Sequence, residues 1–198
     1  MPIIKEGDFY EQINGAIAAG RHISYLKEVI KKYEEYKKVF AENFTTKNTK
    51  GAVYEFRISY LLKKPVWREI EILGKQSFFD LAEETIASMN WENDHMHGFD
   101  LKYPRKPDPL ITGSSISIFA PGWEDDPHPT FKTDEVMIAD LDYIKQSKLR
   151  FTFDYGDGHE FDVEFKKMRV LSKGEKISNF PHVIDQRGVA PEQYSNWR

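Results

Sequence analysis

Two short stretches of the sequence combine histidine and aspartate at spacings that could do chemistry. In the first, His95 and His97 flank one residue, so on a strand both side chains point to the same face. The second, "DYGDGHE", contains Asp154, Asp157 and His159. Two histidines on one face can share a metal ion, and the hairpin residues could complete its ligand shell. Asp157 and His159 could instead form an acid–base pair, with the carboxylate orienting the imidazole.

Structural roles compete with each of these readings. Either histidine of the first stretch could stack on a tryptophan or hydrogen-bond to backbone carbonyls. The chain has no cysteine, which excludes thiolate catalysis and cysteine-ligated metals. The stretch "DYGDGHE" lacks the alternating oxygen ligands of a calcium loop, and glycine-rich phosphate loops are absent. The sequence therefore predicts no cofactor and leaves the question of a metal open.

Trp67 and Arg68 are the next candidates, and their chemistry would be binding. Neighbours on a strand point to opposite faces, so one of the pair enters the core and the other faces out. An arginine in the core would need an acidic partner, since an unpaired buried charge is costly. The candidate partners of Arg68 are Glu69, Glu71, Asp154 and Asp157. We favour such a structural ion pair, and a ligand-facing arginine is the alternative.

The N-terminal 45 residues are predicted to form two helices. Asp8 and Glu11 are spaced as a capping box for the first helix, and Gly20 is placed to end it. Apolar residues of the second helix recur every three or four positions and form one stripe. Its members are Leu26, Val29, Ile30, Tyr33, Tyr36 and Phe40. We expect the stripe to pack within its own domain, and a homodimer through residues 24–44 is the alternative.

Beyond residue 51 the hydrophobic pattern changes to alternation, which predicts strands. Residues 53–61 and 66–73 are expected to pair as antiparallel strands. Ser77, with Asp80 three residues later, should cap the helix that follows. Residues 151–165 predict a hairpin in which Asp157 and Gly158 form a two-residue turn. This order predicts an α+β fold, with one main helix packed on a mixed or antiparallel sheet and an N-terminal helical pair in front.

Three regions follow from this pattern: an N-terminal helical appendage (1–48), an α+β domain (49–172) and a C-terminal tail (173–198).

Residues 1–50 carry 9 Lys and Arg against 7 Asp and Glu, whereas the remainder carries 19 against 25. A main body with a net charge of −6 argues against broad contact with nucleic-acid phosphates. No apolar run approaches the roughly 18 residues of a membrane span. We expect a cytoplasmic protein without membrane contact.

Three separate motifs carry a family resemblance over roughly residues 53–170. They are Pro-x-Trp-Arg at Pro65, Trp67 and Arg68; a helix that ends in Trp91, followed by His-x-His-x-Phe at His95, His97 and Phe99; and a hairpin at Asp154, Tyr155, Gly156 and Asp157. In this order they resemble the plasmid pRiA4b ORF-3-like family. The family hairpin continues to a tryptophan and a histidine, whereas this chain has His159 and Phe161 at those positions. Residues 1–48 lie outside the pattern.

The resemblance implies no activity, because the family has none established, but it implies an association with mobile genetic elements. A resolvase role is disfavoured, because Ser59 lies mid-strand and no basic helix-turn-helix follows. Our first interpretation is a non-enzymatic module that binds a protein or nucleic-acid partner. The alternative is a metal-dependent enzyme that uses the His95/His97 strand and the 154–159 hairpin. The candidate binding residues are Trp67, Arg68, Trp91, His95, His97, Asp154, Asp157 and His159.

Overall fold

A computed structural model describes residues 6–45, 47, 49–61, 65–101, 116–121 and 130–194. The chain divides into two compact units, Met1–Glu42 and Asn43–Arg198. Helix α1 (Glu6–Ala18) and helix α2 (Ile23–Asn43) confirm the predicted N-terminal helical pair. The domain boundaries at 48/49 and 172/173 stay a prediction.

The turn between α1 and α2 depends on Gly20, as predicted. Gly20 has a φ of +72°, a left-handed conformation that glycine adopts without steric penalty. Its N–H donates to the Ile17 carbonyl, and the Arg21 N–H donates to the Ala16 carbonyl, which satisfies the last carbonyls of α1. The predicted start of this helix is wrong: α1 begins at Glu6, so Asp8 lies within the helix rather than at its cap.

The apolar stripe of α2 is only half-buried. In the described part of the first unit no side chain is fully buried, and Leu26, Val29, Ile30 and Tyr33 are all intermediate. The ring of Phe9 on α1 lies 4.4 Å from that of Tyr33, so the two helices share this stripe. The homodimer through residues 24–44 stays a prediction.

In the part of the chain that the structure describes, the second unit contains one sheet of eight strands. The strands are β1 (Ala52–Tyr60), β2 (Val66–Leu73), β3 (His97–Leu101), β4 (Ile116–Phe119), β5 (Thr130–Lys132), β6 (Lys148–Phe153), β7 (His159–Val170) and β8 (His182–Arg187). Their order in the sheet is β5-β4-β3-β6-β7-β1-β2-β8. Only β4 and β5 pair in parallel, and the other six pairs are antiparallel. The mixed sheet and the β1–β2 pairing confirm the predicted α+β fold.

Helix α3 (Phe78–Ser88) packs on one face of this sheet. The Asp80 N–H donates to the Ser77 hydroxyl, and the Ser77 N–H donates to the Asp80 carboxylate, which confirms the predicted cap. Phe78 on the inner face of α3 contacts Phe99 of β3, with ring centroids 5.1 Å apart. Two short 3-10 helices, Ile138–Asp140 and Ile177–Asn179, complete the described helical elements.

The sheet has one apolar face and one charged face, because alternate residues of each strand point to opposite sides. Phe99, Phe151 and Phe161 lie in register on β3, β6 and β7 and are all fully buried. Burial of each such ring contributes about 1.5–3 kcal/mol to stability. On the opposite face, cross-strand ion pairs such as Arg57–Glu69 replace apolar packing.

The tight packing beside β1 gives a first prediction. A Cβ at Gly74 would lie 2.6 Å from the Thr49 carbonyl oxygen and 2.8 Å from a ring carbon of Tyr54. We expect Gly74→Ala to lower the free energy of unfolding by about 1–3 kcal/mol in urea denaturation, because backbone and ring must both move. Gly51→Ala is the matched control, since nothing lies within 4 Å of a Cβ there. Equal midpoints for the two variants would contradict the packing described here.

Candidate functional site

Residues 188–194, which we call the C-terminal segment, run back across the end of α3. The indole Nε1–H of Trp91 donates to the Pro191 carbonyl over 2.9 Å. The side chain of Gln193 bonds both backbone groups of Glu92: its Oε1 accepts from the Glu92 N–H at 2.7 Å, and its Nε2 donates to the Glu92 carbonyl at 2.9 Å. These bonds give the segment a defined path although it contains no helix or strand.

His159 lies beneath the C-terminal segment and has a structural role. Its Nε2 is 2.9 Å from the Gln193 carbonyl oxygen, and its Nδ1 is 2.8 Å from the Tyr60 hydroxyl. A carbonyl can only accept, so Nε2 carries the proton in the neutral ring and the Tyr60 hydroxyl donates to Nδ1. The His159 ring also packs on Trp91, with centroids 4.4 Å apart. Both nitrogens are thus engaged elsewhere, and the predicted Asp157–His159 pair does not form.

The hairpin turn is organised by Asp154 rather than by Asp157 and Gly158 alone. The predicted two-residue turn is wrong, because Phe153 pairs with His159 and five residues lie between them. Asp154 has a φ of +52°, and its Oδ1 accepts from the N–H groups of Gly156 (2.9 Å) and Asp157 (3.3 Å). A short acidic side chain that bonds the following backbone stabilises such a turn. The buried carboxylate of Asp154 is therefore a turn former.

His95 lies at the surface between two carboxylates. Its Nδ1 is 2.8 Å from Asp94, and its Nε2 is 3.7 Å from the second oxygen of Asp154. The pKa of His95 is raised, mainly by its hydrogen bond to Asp94. The hydroxyl of Tyr194 also donates to Asp94, and that bond raises the pKa of Tyr194 to about 12. The polar cluster at one end of the C-terminal segment thus comprises three exposed residues, Asp94, His95 and Tyr194, and the buried Asp154.

His97 lies in a different environment from His95. Strand β3 begins at His97, so the two histidines do not share a strand face as the spacing predicted. The His97 ring is 2% exposed and lies among Phe79, Phe151 and Thr133, whose hydroxyl is 3.4 Å from Nε2. Within the described ranges, no three His, Asp or Glu side chains are arranged to hold a metal ion.

Arg68 is buried, and its predicted acidic partners lie elsewhere. Glu69 pairs with Arg57, and Glu71 pairs with Arg169. Asp154 and Asp157 belong to the distant hairpin turn described above. The Arg68 guanidinium instead donates to backbone carbonyls: Nε to Ser88 at 3.0 Å, and Nη1 to Trp67, Arg187 and Gly188 at 2.9, 3.2 and 3.4 Å. The expected ion pair is therefore wrong, because carbonyl oxygens at the end of α3 and β8 replace the carboxylate.

Trp67 points to the opposite face of the sheet. Its ring lies under the Arg57 guanidinium, with the guanidinium carbon 4.0 Å from the ring centroid. This geometry is a cation–π contact, worth about 0.5–1 kcal/mol at an exposed site. Trp67 and Arg68 therefore serve opposite faces, as their adjacency on a strand predicted.

Arg68 lies at the floor of a cleft of about 850 Å³. The walls are the end of α3, Trp91, the end of β8 and the C-terminal segment. Of the predicted binding residues, Arg68 and Trp91 line this cleft, His159 supports Trp91, and His95 and Asp154 contact each other near Tyr194. His97, Trp67 and Asp157 lie outside this group. Arg187, Gly188, Gln193 and Tyr194 were missed, since no periodic pattern distinguishes them in the sequence.

The family profile described as plasmid pRiA4b ORF-3-like protein matches residues 52–195, and the chain belongs to this family. The match includes β8 and the C-terminal segment, beyond the region where the motifs were recognised. A protein of unknown function, MM3350, from Methanosarcina mazei Go1 is similar at 25% identity and a TM-score of 0.59, over 73% of this chain and 75% of the other.

No match is found among curated proteins. None of the helices that the structure describes has both the length and the apolar character needed to cross a membrane. The family and the fold are thus defined.

The burial of His97 predicts a pH dependence of stability. Desolvation lowers the pKa of His97 from its ordinary value of 6.5 to about 4. Between these values the unfolded chain binds a proton that the folded chain does not. The contribution of His97 to the free energy of unfolding is therefore fully present above pH 6.5 and is lost as the pH drops towards 4. The full difference corresponds to about 3 kcal/mol. We expect His97→Gln to lose this component when urea denaturation is measured from pH 7 to pH 4.5.

Exposed His22 provides the control, because His22→Gln changes a histidine outside the core. Its stability profile should follow that of the unsubstituted chain. If His97→Gln shows the same decline with falling pH as the unsubstituted chain, His97 does not titrate from a buried site.

Proposed function

We propose that the protein is a non-enzymatic binding module that holds an extended segment of a partner protein in the cleft above Arg68. The observation that carries this proposal is the cleft itself, with a volume of about 850 Å³. Ligand sites in proteins usually measure about 300–1,000 Å³, so a few residues of an extended chain fit. The setting in mobile-element biology rests on the family resemblance alone and stays part of the proposal.

The lining of the cleft supports a polypeptide ligand. The apolar residues Met89, Val189 and Pro191 line it together with the polar residues Asn90 and Gln186. In addition, β8 pairs only with β2 among the described strands, so it is an edge strand of the described sheet. Peptides use both kinds of group when they dock beside a sheet edge.

A protein partner is favoured over a nucleic acid by charge. Residues 51–198 carry 19 Lys and Arg against 25 Asp and Glu, whereas phosphate backbones require a basic surface. The metal-dependent enzyme has less support from the geometry. His159 and Asp154 are engaged in structural hydrogen bonds, and His97 lies buried among aromatic rings.

A peptide-display selection tests the proposal. Random peptides are selected on the full chain and then measured on two variants that each add one indole. In Ala190→Trp the indole enters the cleft, because Ala190 is part of its wall. In Lys173→Trp the indole lies on an exposed turn that does not line the cleft. We expect enriched peptides that bind Lys173→Trp as they bind the unsubstituted chain and bind Ala190→Trp at least tenfold more weakly.

Two outcomes would contradict this function. One is a selection that enriches no peptide. The other is a set of peptides that binds both tryptophan variants equally, which would locate the binding surface outside the cleft.

A further inference from the structure

We propose that the cleft recognises a carboxylate group, with Arg68 as its anchor. This inference deepens the proposed function and rests on it, because it names the chemical group by which the partner segment would be held. The class of ligand is a carboxylate next to an apolar side chain, as at the C-terminal residue of a protein.

The first observation is the unfilled hydrogen-bonding capacity of Arg68. Only 4% of the residue is exposed, and Nε and Nη1 are satisfied by carbonyls. The second amino group, Nη2, makes no hydrogen bond with any described residue, and it is not among the fully enclosed polar atoms. Since Arg68 lines the cleft, Nη2 is reachable from the cleft.

The second observation is the missing counter-ion. Nowhere in the described ranges does a carboxylate lie within 4.0 Å of the Arg68 guanidinium, although other buried or half-buried charges of the sheet are paired. Carbonyl dipoles compensate part of the charge, but taking an ion out of water still carries a penalty of several kcal/mol. A carboxylate that accepts from Nη2 would supply the counter-charge through a charge-assisted hydrogen bond.

Arg68 is the cation that a ligand in this cleft would meet. Arg187 also lines the cleft, and its carbonyl accepts from Arg68. Arg187 is paired with Trp67 in the register of β2 and β8, and residues directly opposite each other point to the same face of a sheet. Its side chain therefore leaves β8 on the face opposite to that of Arg68.

The apolar part of the wall defines the rest of the ligand. The cleft that Arg68 lines is also lined by Met89, Trp91, Val189 and Pro191. A free carboxylate such as acetate would leave this surface in water, whereas a carboxylate attached to a leucine-sized side chain would cover part of it. Burial of apolar surface contributes about 25 cal/mol per Å², so an apolar body should strengthen binding.

The test uses two small probes that differ only in the carboxylate: N-acetyl-leucine and N-acetyl-leucinamide. Both are titrated into the ¹⁵N-labelled full chain, and the indole N–H signal of Trp91, assigned with Trp91→Phe, reports binding. We expect the acid to shift this signal saturably and to bind at least tenfold more tightly than the amide, because the amide cannot form the charge-assisted bond.

Variants identify the cation. Arg68→Lys keeps a charge but loses the planar fork, so it should weaken binding of the acid at least tenfold, and the same spectra show whether it is folded. Lys173→Gln removes an exposed cation from a turn outside the cleft and should leave the affinity unchanged.

Three results would overturn the inference: no shift with the acid, equal affinity for acid and amide, or an affinity for the acid that folded Arg68→Lys leaves unchanged. None of them would remove the proposed function, since selected peptides could still bind the cleft without a carboxylate. Conversely, if the acid binds through Arg68 but no displayed peptide is enriched, the carboxylate site stands and the protein-partner proposal fails.

Discussion

The guanidinium of Arg68 joins three elements that are distant in sequence. From its position on β2 it donates to Ser88 at the end of α3 and to Arg187 and Gly188 at the end of β8. A cation at the C-terminus of a helix is also favoured by the helix dipole. Burial lowers the pKa of the Arg68 guanidinium, but the ordinary pKa of arginine is so high that the group stays protonated. The positive charge is therefore a fixed part of the fold, and the cleft forms around it.

The aromatic contacts of Trp91 depend on this arrangement. Trp91 follows α3 by three residues, so the end of the helix must be fixed before its indole can meet the Pro191 carbonyl. His159 and Tyr60 then fill the space below the indole, and Gln193 closes the segment over them. Structural partners are thus present for the indole N–H of Trp91, both ring nitrogens of His159 and the side-chain amide of Gln193. These commitments support the proposed binding function, since a catalytic acid or base needs a free position towards its substrate.

Local patterns in the sequence were sufficient for the elements that local interactions determine. Alternation predicted β1 and β2, and the spacing of Ser77 and Asp80 predicted the start of α3. The turn of the β6–β7 hairpin was predicted at the right place but with the wrong length. Asp157 and Gly158 suit a two-residue turn, whereas the left-handed conformation of Asp154 extends it to five residues.

Long-range contacts account for what the sequence did not reveal. β8 and the C-terminal segment are positioned by bonds such as Trp91–Pro191 and His159–Gln193, which join residues far apart in the chain. Arg68 was predicted to be buried or ligand-facing, and the acids around it in sequence suggested the wrong partners. Backbone carbonyls satisfy it instead, and every residue has a carbonyl, so no residue type in the sequence marks them.

The central claim is that Arg68 holds the cleft in place, and hydrogen exchange in Arg68→Met measures this most directly. Amide exchange is followed residue by residue in the unsubstituted chain and in the variant, together with the indole N–H of Trp91. We predict that exchange of the indole and of residues 186–194 becomes at least tenfold faster while the amides of β6 and β7 keep their protection. Unchanged exchange in residues 186–194, or an equal loss of protection throughout the sheet, would contradict the account.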